Sequence, residues 1–293
     1  MIQSIIEDIK GQFRYGNMIT KIILVNMAVL LFVSIVKAFT PPGSTFYATL
    51  IEYLALNAET FKWLTRPWTF VTHMFLHEGF WHFAGNMLML YWFGRIVGDL
   101  IGDKKILPLY LVGGFMGAFF YLIFVNIVGF KGYGLGASGA VMCFVMSSAF
   151  LAPEYNLRLL LLGNVRLKYV ALSVVVIDIL THLSTNPGGT FAHIGGAFMG
   201  GLYVHFLQRG TDFTDPLQRL FERFSGDRRP KKKAPMKVVF NRKSEAATYE
   251  RPSQRSEGTQ EQIDQILDKI NDSGYDSLTK EEKDYLYRAS KDN

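Results

Sequence analysis

The sequence predicts an all-α membrane protein: a six-transmembrane-helix bundle with a mostly flexible cytoplasmic tail ending in a short helical segment. Two observations carry this prediction. Hydrophobic residues make up 49% of the 293-residue chain but concentrate between Met18 and Leu207. Within that region six mostly apolar stretches approach the roughly 17–25 residues that a helix needs to cross a hydrocarbon core. They cover residues 18–39, 81–101, 106–128, 136–151, 167–183 and 190–207, the fourth being the shortest. A third observation concerns function. Ser138 and His193 each sit about three residues inside a different apolar segment, where polar side chains are costly and mark chemistry.

Taken in order, residues 1–17 are charged and amphipathic, and the apolar run that follows is too long for the h-region of a signal peptide, so it reads as a retained anchor. Lys10, Arg14, Lys21, Arg95, Lys104, Lys105, Arg158, Arg166 and Lys168 flank alternate segments on one side, which places both termini in the cytoplasm. The single cysteine, Cys143, leaves no disulfide framework and no cysteine metal cluster. Beyond the six-segment region 18–208, a basic linker is expected over 209–260. Residues 209–255 hold 13 Lys and Arg against 6 Asp and Glu. Arg228, Arg229, Lys231, Lys232 and Lys233 there offer a contact with anionic lipid, or simply a solvated positive face, and not a nucleic-acid site. In 256–293 the balance reverses to 5 against 10. Ile263, Ile266, Leu267 and Ile270 at helical spacing predict a short helical segment over 261–293.

Ser138 lies in Gly136-Ala137-Ser138-Gly139-Ala140, whose small residues let another backbone or a substrate approach. A membrane-helix serine ordinarily bonds the carbonyl one turn back, so the hydroxyl alone decides little. His193 precedes Gly196 and Gly200, a G-x-x-x-G face suited to tight helix packing. That face brings the imidazole toward a small-residue helix such as the fourth. Segments two, four and six run in the same direction, so Ser138 and His193 share a depth near one surface, about 3–5 Å below their helix starts. His77 and His82 are five residues apart, about 140° round a helix, and do not match the zincin pair. His82 and Asn86 share a face one turn apart, and two neutral donors there suit an oxyanion, at about 3–4 kcal/mol each. No metal or cofactor is expected.

Together these elements resemble the rhomboid family of intramembrane serine proteases. The matching residues are His77 with His82-x-x-x-Asn86, Gly136-x-Ser138-Gly139, and Ala192-His193-x-x-Gly196-x-x-x-Gly200. The resemblance implies a Ser138 and His193 dyad without a third carboxylate, acting on a peptide bond in or near a substrate's transmembrane segment. His82, Asn86 and the Ser138 backbone amide would form the oxyanion hole. The fifth segment and residues 184–189 would gate and cap a cavity open to the extracytoplasmic side. Substrates would be transmembrane proteins, with membrane lipids as the other partner. Two departures stand out: Trp68 is followed by Thr69 where family members often have arginine, and Met142 stands where an aromatic residue often underlies the histidine.

Two other readings compete. A catalytically inactive rhomboid-like protein would bind membrane helices without cutting them. A transporter would use buried polar residues such as Asp178, which is assigned no catalytic role. The expected location is a multi-pass position in a bacterial cell (inner) membrane.

Overall fold

The computed structural model describes residues 2–129, 131–159, 163–225 and 257–289, which belong to two units, Met1–Pro230 and Lys231–Asn293. In the first unit α1 (Ile2–Tyr15) leaves Ile6, Ile9 and Phe13 exposed. Asn17 then caps the next helix, its side chain accepting the Thr20 amide at 2.9 Å, a typical start signal. That helix, α2 (Met18–Phe39), ends just before Pro41 and Pro42, which cannot continue a helical hydrogen-bond ladder.

The stretch that follows reads as a loop in sequence but is structured. It contains α3 (Phe46–Leu54), β1 (Leu56–Asn57), α4 (Thr60–Thr65), α5 (Thr69–Thr72) and a tight turn over His73–Phe75. Its apolar positions are too closely interrupted for a period to show, and tertiary contacts hold it. Arg66 stacks on the Tyr53 ring at 3.8 Å and pairs with Glu52 at 3.5 Å, while the Trp68 indole donates to the Tyr53 carbonyl at 2.8 Å. An arginine two residues before Trp68 thus makes contacts in this loop, although Thr69 occupies the position after the tryptophan.

The remaining helices of this unit are α6 (Phe80–Ile101), α7 (Ile106–Val128), α8 (Ser138–Leu151), α9 (Leu167–His182), α10 (Pro187–Gln208) and α11 (Asp215–Ser225). Helices therefore fall on all six apolar segments. Among the described residues, α2 and the stretch Asp103–Val128 are long and apolar enough to cross a membrane by length and composition, and α8 is apolar but only 14 residues. Arg95 and Asp99 in α6, Asp178 in α9, and the glycines and His193 in α10 dilute the apolar character of the others. The unpredicted α11 occupies part of the expected basic linker. Its Gln218 is buried, as is Thr214 just before it, and Lys105 pairs with Asp212. Partial burial alone would raise the Asp212 carboxyl, but Lys105 and the Thr214 hydroxyl and amide outweigh it and hold it below the usual carboxylate range.

At the centre lies α8, buried almost all round from Gly139 to Val145, as expected of a helix with no polar face. It packs against α6, α7 and α10. The β1 strand pairs with β2 (Tyr133–Gly134), Leu56 opposite Gly134, and the His73 carbonyl accepts the Gly136 amide at 2.8 Å. The long first connection therefore braces the segment that leads into Ser138. A second antiparallel ribbon, β3 (Asn156–Leu159) with β4 (Gly163–Arg166), joins α8 to α9.

Tyr110 on α7 is fully buried and donates to the Met74 carbonyl at 2.9 Å, while Asn26 of α2 reaches its hydroxyl at 3.5 Å. Tyr110→Phe leaves that carbonyl unpaired, and a loss of about 1–2 kcal/mol is expected. Thermal unfolding in detergent should show a midpoint several degrees lower. An unchanged midpoint would mean that the hydroxyl does not hold the turn.

In the second unit, α12 (Glu257–Ser273) and α13 (Lys280–Ala289) are joined through Gly274, whose φ is +78°. Ile266 and Leu278 are buried, and Lys269 pairs with Glu282 at 2.9 Å. Thr279 and Glu282 form a reciprocal cap at 2.7 and 3.3 Å. The basic residues expected to meet lipid, Arg228, Arg229, Lys231, Lys232 and Lys233, lie outside the described residues.

Candidate active site

Three helices meet where their side chains are smallest. A Cβ added at Gly117 of α7 would lie 3.0 Å from the Ala192 carbonyl oxygen of α10 and 3.1 Å from the Gly139 Cα of α8. Only glycine permits backbones this close. Ser138 and His193 are the immediate chain neighbours of Gly139 and Ala192. Both line one cavity of about 940 Å³.

The shared position does not come from equal offsets. Ser138 is the first residue of α8, and His193 is the seventh of α10, which begins at Pro187 with Asn186 accepting the Gly189 amide at 3.0 Å. The fourth segment starts two residues later than expected, and the sixth three residues earlier. The first intrahelical bond of α8 runs from Val141 N–H to the Ala137 carbonyl at 2.9 Å. The N–H groups of Ser138, Gly139 and Ala140 therefore open the helix, where donors are left over and the dipole favours negative charge.

Gly136 has φ +127°, and a Cβ there would lie 3.0 Å from His82 Cε1 and 3.1 Å from its Nε2. The structure thus places His82 beside the turn into Ser138. Asn86 also lines the cavity, but its side-chain amide donates to the His82 carbonyl at 2.9 Å. One of its donors is therefore engaged within α6. His77 precedes α6, is buried, and meets the His82 and Phe83 rings edge-on with centroids 5.2 and 5.5 Å away. Burial, with His82 nearby, pushes the His77 imidazole down to about 4, so it stays neutral. Gly196 and Gly200 face α8, and Met142 lines the cavity wall. Among the described residues, no group of three or more His, Cys, Asp and Glu side chains is arranged to hold a metal.

The structure corrects the expectation that no carboxylate accompanies the histidine. Asp178 Oδ2 lies 2.7 Å from His193 Nδ1, and Oδ1 lies 3.0 Å from His182 Nδ1. In the sequence Asp178 is an acid within an apolar segment, but no pattern along that segment gives the rotational setting of α9 against α10.

Gly136→Ala forces a side chain into a left-handed backbone position and against the His82 ring. A serine-directed fluorophosphonate is expected to label this variant about tenfold more slowly, a loss of about 1.4 kcal/mol in barrier terms. Labelling at the unmodified rate would show that the turn tolerates a methyl group.

A membrane-type helical fold whose small-residue junction sets a serine and a histidine on one cavity, with His82 and Asn86 also on its wall, defines the class. The Rhomboid domain pattern matches residues 64–210, half of the chain, and the chain belongs to the rhomboid family. Residues 253–292 match a second pattern, described as a family of unknown function (DUF6576). Similar proteins include RHOMBOID-like protein 12, mitochondrial, of Arabidopsis thaliana, 32% identical over 177 residues, covering 55% of this chain and 52% of that one. Presenilin-associated rhomboid-like protein A, mitochondrial, of Danio rerio is 29% identical over 164 residues, covering 54% and 41%. Rhomboid protein 1, mitochondrial, of Saccharomyces cerevisiae is 25% identical over 174 residues, covering 56% and 47%. The chain spans about half the length of the curated relatives it matches.

These relatives are mitochondrial by name, which overturns the expected location in a bacterial inner membrane. The sidedness attached to that location, with cytoplasmic termini and an extracytoplasmic site, falls with it. Lysine and arginine bias reports which loops share a side but carries no label for the compartment beyond it.

Proposed function

We propose that the chain is a rhomboid-type intramembrane serine endopeptidase, with α2, α6, α7, α8, α9 and α10 spanning the bilayer as a six-helix bundle. Its substrates are membrane proteins cut in or near a transmembrane segment. The observation that carries this reading is the Gly117, Gly139 and Ala192 junction, which sets Ser138 and His193 on one cavity within apolar helices.

In this reading Ser138 Oγ attacks the scissile carbonyl while His193 Nε2 takes its proton, then returns it to the leaving amine. Nδ1 of the same ring faces Asp178, which leaves Nε2 for the hydroxyl. The tetrahedral oxyanion is received by the Ser138 amide at the start of α8, with His82 and Asn86 as side-chain donors. Water entering the cavity hydrolyses the acyl-enzyme. The cavity is lined by both α6 and α9, and a substrate helix enters between them with residues 184–189 as cap.

The test uses the purified full chain in liposomes. A fluorophosphonate probe should label Ser138 and fail on Ser138→Ala, and a transmembrane reporter should be cut. Equal labelling of Ser138→Ala defeats the nucleophile assignment. Reporter binding without labelling or cleavage points instead to a helix-binding protein.

A further inference from the structure

Asp178 lies in the run Val174-Val175-Val176-Ile177-Asp178-Ile179-Leu180, and its side chain is 10% exposed. A carboxylate in such a place is expensive unless its oxygens are engaged. Here each oxygen meets a different imidazole: Oδ2 lies 2.7 Å from His193 Nδ1 across to α10, and Oδ1 lies 3.0 Å from His182 Nδ1 one turn along α9. The His193 side chain is 15% exposed, whereas that of His182 is 53% exposed. The carboxylate therefore holds an inner ring with one oxygen and an outer ring with the other.

We infer that Asp178 is a positioning residue: it fixes the His193 ring as the Nδ1–H tautomer, so that Nε2 presents a lone pair to the cavity. The consequence for catalysis rests on the protease reading above; the tautomer itself does not. Without an acceptor at Nδ1, an imidazole is free to place its proton on Nε2, where it cannot serve as a base. A buried acid beside the base also stabilises the imidazolium that forms during proton transfer.

A purely mechanical role is the competing account, since Asp178 is one of three buried residues of α9, with Leu167 and Ala171, and ties that helix to α10. Asp178→Asn separates the two, because the near-isosteric amide keeps the packing of α9 on α10, whereas its NH2 can turn to donate to Nδ1 and move the ring proton to Nε2. With a reporter peptide in liposomes, Asp178→Asn is expected to lower kcat about 10- to 100-fold, within the range associated with general-base function. KM should stay within about threefold, because substrate binding does not depend on the charge.

The other titratable groups around the His193 ring are His182 on α9 and His82 on α6, with Glu78 beside His82; all are retained in the variant. Asp178→Glu should recover part of kcat. Unchanged kcat in Asp178→Asn, with Ser138→Ala inactive, overturns the inference and leaves the protease reading standing.

A second readout needs no cleavage. In histidine-labelled protein in micelles, the Nδ1 proton signal that disappears in His193→Ala should move upfield in Asp178→Asn. If it stays in place, Asp178 does not hold the ring. If it moves while Ser138→Ala still cleaves like the unmodified chain, the tautomer assignment survives and the protease reading falls.

Discussion

Ser138→Ala is expected to reduce reporter cleavage by at least about 10⁴-fold, below what a liposome assay detects. A nucleophile removed from a serine hydrolase costs up to about 10⁶ in kcat, and the residual rate comes from binding and oxyanion stabilisation alone. Here the residual should be small, because water would have to replace the hydroxyl in a cavity walled by apolar helices. His193→Ala should fall by a similar factor, since Ser138 Oγ has no other base beside it on α10. The double variant should be no worse than either single one, because the two groups act as a unit. Independent, multiplying losses would show that they do not share a step. Folding is monitored by the melting midpoint, which Ser138→Ala should leave within a degree or two because the hydroxyl is only half-buried.

Gly196→Ala is the second large effect, and it acts on structure first. A Cβ at Gly196 would lie 2.7 Å from the Gly139 carbonyl carbon and closer still to its oxygen. The obstruction is backbone, so no rotamer change relieves it. One turn further on, Gly200 stands against the Cys143 carbonyl, and Ser147 Oγ donates to the Gly200 carbonyl at 3.2 Å. A methyl group at Gly196 must therefore push α10 off α8 along the seam that holds Ser138 and His193. Overpacking of this kind costs about 1–3 kcal/mol, more where the neighbour cannot yield; a loss of about 3 kcal/mol and a melting midpoint at least several degrees lower are expected. Probe labelling of Ser138 should fall further than stability does, since the reaction depends on sub-ångström placement. A variant that melts and labels like the unmodified chain would mean that α8 and α10 stand farther apart.

The six apolar segments, and even the ends of α2 and α7, are legible in the sequence. Length and hydropathy are local properties, and a helix in a bilayer must satisfy its own backbone. The small residues at 136, 139, 196 and 200 were legible as a packing face for the same reason: absence of a side chain is written in the sequence itself. The first connection was not legible. Its order depends on pairs such as Arg66 with Tyr53 and the Gly136 amide with the His73 carbonyl, which join residues far apart in the chain. Asp178 illustrates the same limit inside an apolar helix. Its cost was evident from its neighbours, but its partner was set by how α9 is turned against α10.

What the amino-acid sequence determined by itself was the helical, membrane-type class, the family, and the residue types available for chemistry, because these follow from composition, spacing and period. Tertiary structure alone decided which of those residues share a cavity, where α8 begins, and that a carboxylate stands behind His193. Those outcomes depend on helix rotation and on backbone approaches in which a few tenths of an ångström decide what fits. Such distances are fixed by packing between segments, on which no single segment's pattern carries information.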